Sequence, residues 1–186
     1  MTFTYLLDYV IAEVQRSQCL RTETYDTGSM NQHQALSKLA GPILALDLGE
    51  KLVGAAVSDD RLVTIKRLAP LKRSNWKRLL QDVVTLIQRY DAQTVVIGLP
   101  LRLDGTSGDA AEKAHQVATN LARSIQQRVY LQDERLTSFE AMANLKAEGH
   151  KPGEIPDLID GEAAAMILRD FINTDQERVP VTPSSR

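Results

Sequence analysis

The chain of 186 residues holds one cysteine, Cys19. No intrachain disulfide can form, no zinc cluster of cysteine and histidine can be built around it, and a lone thiol fits a reducing compartment. No apolar run approaches the length of a membrane span, so no membrane partner is expected. The apolar patch at the N-terminus (Tyr5 to Leu7, then Tyr9 to Ala12) is broken by Asp8 and preceded by no basic region, which argues against a signal peptide. The cytoplasm is the expected location. The three histidines, His33, His115 and His150, have no serine, cysteine or aspartate partner at a spacing that suggests a triad; His115 is expected at the solvent edge of a helix. There is no internal repeat and no low-complexity block.

Net charge is only −2, which argues little for nucleic acid by itself. Its distribution says more. Between Arg61 and Gln81 stand Arg61, Lys66, Arg67, Lys72, Arg73, Lys77 and Arg78 with no acidic residue among them. Such a stretch can face phosphate, or it can be an edge strand kept soluble by its cations. Both readings stay open.

At 43% hydrophobic residues the chain is not globally disordered, and its length suits one domain with short extra segments. Residues 1–42 are polar, with one short amphipathic stretch, and are expected to be an extension, partly disordered or helical. Met30 within them is a candidate internal start. Residues 174–186, with Pro180, Pro183 and two serines, are expected to be a disordered tail.

Residues 43–173 between them are regular. Ile43 to Leu46 is a short apolar run suited to a strand buried on both faces. A turn at Leu48 to Glu50 and a strand at 51–58 complete a hairpin, and a third strand is expected at about 61–68. Ser74 is a candidate cap for a helix carrying Trp76, Leu79, Leu80, Val83, Ile87 and Tyr90 at helical spacing. Strands at Thr94 to Ile97 and Arg128 to Gln132 alternate with a helix at about 107–126. Thr137 to Glu140 reads as a capping box opening a helix to about Glu148. After a loop containing Gly149, Pro152, Gly153 and Pro156, a last helix covers about 157–172. The order β-β-β-α-β-α-β-α-α suggests an α/β fold, a mixed five-stranded sheet flanked by helices.

Three carboxylates stand at element ends. Asp47 ends an apolar strand, where a carboxylate needs a cation or several donors, although an aspartate bonding its own turn is the more common case. Asp133 and Glu134 follow the fifth strand; their side chains should face opposite ways, so only one should reach a given site. Asp160 shares a helix face with Ala164 and Ile167, or is simply an acid favoured by the helix dipole. Taken singly, each has an ordinary structural explanation. Taken together, hard oxygen donors without cysteine or histidine select Mg²⁺ or Mn²⁺ rather than zinc, and paired ions about 3.5–4 Å apart are suited to phosphodiester hydrolysis.

The same residues carry a resemblance. Leu46-Asp47-Leu48-Gly49 with Gly54 and Ala56-Val57-Ser58-Asp59, then Ile97-Gly98-Leu99-Pro100-Leu101 with Asp104-Gly105, then Asp133-Glu134-Arg135-Leu136-Thr137, then Ile159-Asp160 with Ala163-Ala164, closely resemble the YqgF (RuvX) family. Its members are described as pre-16S ribosomal RNA nucleases or Holliday-junction-resolvase-like proteins, and the match covers about residues 43–173. The resemblance implies a ribonuclease-H-like fold and cytoplasmic maturation of the 5′ end of 16S rRNA. It implies Asp47, Glu134 and Asp160 as catalytic, metal-binding carboxylates for Mg²⁺ or Mn²⁺, with Glu134 chosen over Asp133. Lys51 and Arg135 are expected phosphate contacts, or else exposed cations. The implied partner is pre-rRNA, alone or within a pre-ribosomal particle, or branched DNA. Two departures touch substrate contacts: Arg102 stands where an asparagine is common, and Pro156-Asp157-Leu158 replaces a basic residue before Asp160. Actin-like kinases share the Asp-x-Gly hairpin but need two such lobes, and this chain has room for one. A non-catalytic RNA-binding or ribosome-assembly factor remains the other rival. Tyr130 and Phe139 could stack a base, although core packing is the more common fate.

Overall fold

The computed structural model describes residue 39 and residues 41–102, 104–134, 137–174 and 178–182; of residues 137–140, 156 and 157 only the backbone is described. Residues 1–38, Arg135 and the side chain of Phe139 lie outside it. So do the side chains of the expected capping box.

Five strands, β1 (Ile43–Leu48), β2 (Leu52–Ser58), β3 (Ile65–Lys72), β4 (Thr94–Leu99) and β5 (Arg128–Asp133), form one sheet in the order β3-β2-β1-β4-β5. β1 runs antiparallel to β2 and β2 to β3, whereas β4 is parallel to both β1 and β5. Among the described residues four helices complete the order: α1 (Trp76–Tyr90), α2 (Asp109–Ser124), α3 (Thr137–Ala147) and α4 (Ile155–Asn173). A leading three-stranded meander followed by two parallel strands with helical crossovers is the ribonuclease-H-like arrangement.

β1 is central and buried on both sides, which is why its sequence is apolar rather than alternating. Leu44 and Leu46 join Leu79, Leu80, Val83 and Ile87 of α1 and Ala118 and Leu121 of α2 in one core layer. Ile43 and Ala45 join Ala164, Ile167, Leu168 and Phe171 of α4 in the other. Each fully buried leucine or isoleucine contributes about 1.5–3 kcal/mol. α3 packs on α4 through Ala141, Ala163 and Met166.

Local departures from the sequence pattern have local causes. β3 starts at Ile65 because residues 59–64 form a turn, in which the Asp59 carboxylate accepts from the Val63 and Thr64 amides at 2.7 and 3.1 Å and Leu62 takes a positive φ. Asn75, not Ser74, caps α1, its Oδ1 accepting from the Arg78 amide at 3.0 Å. α4 begins before Pro156, which sits in its first turn, where the missing N–H costs nothing. Asp160 therefore lies in the second turn, beyond the strongest reach of the dipole. Tyr130 is buried with its ring centroid 5.3 Å from that of Phe171, so it is a core residue and not a base platform. His115 is exposed. Arg178 donates to the Phe171, Ile172 and Thr174 carbonyls, and Val181 N donates to Val129 O at 2.8 Å. That part of the expected tail is therefore seated.

Candidate active site

Strand alternation decides which side chains meet. On β1, Ile43 and Ala45 face α4, so Asp47 continues that row. On β5, Tyr130 faces α4, so the same parity carries Gln132 and Glu134 to that face and Asp133 to the other. The Glu134 amide donates to Leu99 O at 3.2 Å, keeping the chain in register with β4 for one residue beyond β5. Glu134 rather than Asp133 thus shares a face with Asp47. Asp160 lies four and seven residues before Ala164 and Ile167, both in the layer against the sheet, so it heads the same stripe.

Two glycines make room. Gly54 is the register partner of Asp47 across β1 and β2, and a Cβ there would overlap the backbone carbonyl of Asp160. With no side chain at 54, α4 lies directly on the sheet beside Asp47. A Cβ at Gly98 of β4 would overlap Oε2 of Glu134 and stand 2.7 Å from Cδ1 of Ile167. The Glu134 carboxylate therefore lies over the bare backbone of β4. A glycine inside a strand often marks such a close approach, and that was the available signal for both positions.

The electrostatics agree with this placement. Burial, then the charge of Asp160, pushes the Asp47 carboxyl up to about 6. Burial, then the charges of Asp47 and Asp133, pushes Glu134 up to about 8. For both carboxyls burial comes first and neighbouring negative charge second, and each raises the group. Among the described residues no three acidic, histidine or cysteine groups stand so as to hold one metal ion. What the side chains present is a pair of couplings, Asp47 with Asp160 and Asp47 with Glu134. Mg²⁺ needs no fuller cage, since it keeps several waters and binds through one or two carboxylates plus substrate phosphate. The all-oxygen donor set fits such an ion.

The hairpin turn after Asp47 is braced by Arg73, whose Nη1 donates to Gly49 O at 2.6 Å and whose amide donates to Lys51 O at 2.9 Å. Lys51 itself is exposed. α4 is held beside β3 by a buried charge, Glu162, only 1% exposed at its side chain. It accepts from Arg67 at 3.0 Å, Arg169 at 2.9 Å and Asn144 at 3.3 Å. Sequence reasoning missed the roles of both Arg73 and Glu162, because Gly49, Arg67 and Asn144 lie on other elements.

The sequence model of the RuvX family, described as Holliday junction resolvase, matches residues 41–174. A candidate pre-16S rRNA nuclease of Syntrophus aciditrophicus is 36% identical over 139 residues, covering 74% of this chain and 93% of that protein. One of Synechococcus elongatus is 34% identical over 137 residues, covering 74% and 91%. Among solved structures, Thermus thermophilus RuvC in complex with a Holliday junction substrate aligns with a TM-score of 0.46 at 16% identity, over 74% of this chain and 98% of that one. With residues 41–174 matched by the family model and a third of positions identical to relatives over most of their length, the chain belongs to the RuvX family.

Proposed function

We propose that this protein is a nuclease that hydrolyses phosphodiester bonds near the 5′ end of pre-16S rRNA, in the cytoplasm and on a pre-ribosomal particle, with Asp47, Glu134 and Asp160 as its acidic centre. The observation that carries the reading is the gathering of these carboxylates on one face and one end of the sheet, over two glycines, with Asp47 and Glu134 both raised by burial and then by neighbouring negative charge. The names of the relatives in Syntrophus aciditrophicus and Synechococcus elongatus support the substrate.

Asp47, Glu134 and Asp160 would hold Mg²⁺ or Mn²⁺, which would supply Lewis-acid stabilisation of the charge on the phosphate oxygens. Without a cation, burial and then the charges of Asp47 and Asp133 hold the Glu134 carboxyl above its ordinary range. Lys51, exposed in the turn after Asp47, and Arg135, next to Glu134 in sequence, contact the phosphate backbone. The bare strands at Gly54 and Gly98 keep the carboxylates in place against α4 and β4.

The test is cleavage of a pre-16S 5′ leader RNA with Mg²⁺ or Mn²⁺ by wild type and Asp47→Asn. Cleavage by wild type and its loss in the variant is the expected result; equal cleavage by both refutes the site. A four-way DNA junction is the second substrate, because the family description favours branched DNA as the alternative. Cleavage of the junction but not the RNA would establish that alternative.

A further inference from the structure

Of the seven basic residues between Arg61 and Gln81, four are committed within the fold. Arg67 pairs with Glu148 and Glu162, Arg73 holds the Gly49 carbonyl, Arg78 pairs with Asp82, and Lys66 lies over the Tyr90 ring at 5.8 Å. Lys72 differs. It is exposed at the end of β3, and its register partner is Leu52. Leu52 has the same parity on β2 as Gly54, so Lys72 faces the same side of the sheet as Asp47. From strand spacing and rise, its Cα lies about 12 Å from that of Asp47, two strands across and two residues along. Lys51 is exposed between them in the β1–β2 turn, which the Arg73 amide ties to the start of the next segment. Beyond Lys72 the chain rounds the end of the sheet into α1, which packs on the face opposite Asp47; its first residue, Trp76, is 36% exposed although it belongs to the apolar stripe of that helix. The opposing charge in this region is Glu50, exposed in the same turn as Lys51.

Exposed lysines at this end of the sheet, with an exposed indole four residues beyond Lys72, are the elements of a single-strand track that wraps over the sheet's end: lysines follow the phosphates, and an aromatic ring stacks on a base that is free of a duplex. Paired bases would offer the ring no open face. We infer that Lys51, Lys72 and Trp76 form a binding surface for the single-stranded nucleic acid flanking the scissile bond, running from the carboxylate centre over the hairpin turn to the start of α1. The inference rests on the proposed nuclease reading and adds the form of the substrate: an unpaired strand on this side of the cut.

The test separates the two. Binding of a short fluorescein-labelled single-stranded RNA, the same sequence as DNA, and an RNA duplex is measured for the full chain in EDTA, where cleavage is absent, across a salt series. Wild type should prefer both single strands to the duplex. The Lys51→Gln/Lys72→Gln variant should lower the slope of log affinity against log salt by about 1.4, from about 0.7 per phosphate on a single strand. Trp76→Ala should weaken binding roughly tenfold and Trp76→Phe should restore most of it. Arg128→Gln, exposed at the opposite end of the sheet, should bind as wild type. In Mg²⁺, Lys72→Gln alone should raise KM for RNA more than it lowers kcat. A preference for the duplex, an unchanged salt slope, or a Trp76→Ala variant that folds and binds as wild type would overturn the inference even if cleavage is observed. Single-strand binding that responds to these substitutions without any cleavage would overturn the nuclease reading and leave the track standing.

Discussion

Replacing each of the two site glycines by alanine should separate stability from activity. Neither Gly54 nor Gly98 has a positive φ, so alanine is conformationally permitted at both and, by restricting the unfolded chain, stabilises by about 0.4–1 kcal/mol. What differs is the neighbour. At Gly54 the added methyl meets the carbonyl and the Cα of Asp160, the latter at 3.2 Å. These are backbone atoms in the second turn of α4, and they can yield only if the helix lifts off the sheet. Overpacking of this kind costs about 1–3 kcal/mol, and the upper end applies because α4 carries the core contacts of Ala164, Ile167, Leu168 and Phe171. Gly54→Ala should therefore lose about 2 kcal/mol net of the entropic gain. At Gly98 the methyl meets the far ends of two flexible side chains, the Glu134 carboxylate and the Ile167 Cδ1. Both can rotate away, so stability should stay within about 1 kcal/mol of wild type. The carboxylate, however, leaves its place, and a misplacement of this size can lower kcat by about a hundredfold. Urea unfolding followed by circular dichroism gives the stabilities, compared at constant m-value, and metal-dependent cleavage gives the activity. A Gly54→Ala protein with a wild-type urea midpoint, or a Gly98→Ala protein with full activity, would show that the helix and Glu134 do not lie where this reasoning needs them.

Three further outcomes are expected. The raised carboxyls of Asp47 and Glu134 mean that the folded, cation-free protein binds protons more tightly than the unfolded chain; this stabilisation is fully present below about pH 4 and lost as pH rises through about 6 and then about 8. Thermal midpoints in EDTA should therefore fall across that window, Asp47→Asn should flatten the fall, and saturating Mg²⁺ should reverse it; a flat wild-type profile in EDTA refutes the clustering. Removing both Arg67 and Arg169 strands the buried Glu162 carboxylate and should cost about 3–5 kcal/mol, part of which a third change, Glu162→Leu, should restore; a double variant as stable as wild type in urea would contradict this. Asn75→Ala should cost about 1 kcal/mol through loss of the α1 cap, whereas Ser74→Ala should cost nothing measurable in the same denaturation assay.

Much of this protein could be read locally. A run as short as Ile43 to Leu46 between turn signals suits a buried strand, and Leu79, Leu80, Val83 and Ile87 share a helix face at helical spacing. Ends were harder to place, because they depend on single side chains: Asp59 holds the turn that delays β3, and Asn75 competes with Ser74 for the cap. The identities of Asp47, Glu134 and Asp160 came from motif blocks, since each alone had an ordinary structural explanation. Which of these carboxylates share a face was decided by tertiary structure. The parity of β5 turns Glu134 and not Asp133 towards Asp47, and parity has meaning only once Tyr130 is known to face α4. Gly54 and Gly98 read as glycines inside strands, but only the packing of α4 and the end of β5 onto them gives the missing side chains their purpose. The basic stretch resolves in the same way. Its charge is a property of sequence, whereas the split between cations spent on Glu162, Asp82 and Gly49 and the exposed Lys72 on the face of Asp47 is a property of register. Local propensity acts over a few residues, whereas the site is assembled from groups as far as 113 positions apart, Asp47 to Asp160, and only the sheet brings them within reach of one another's charge.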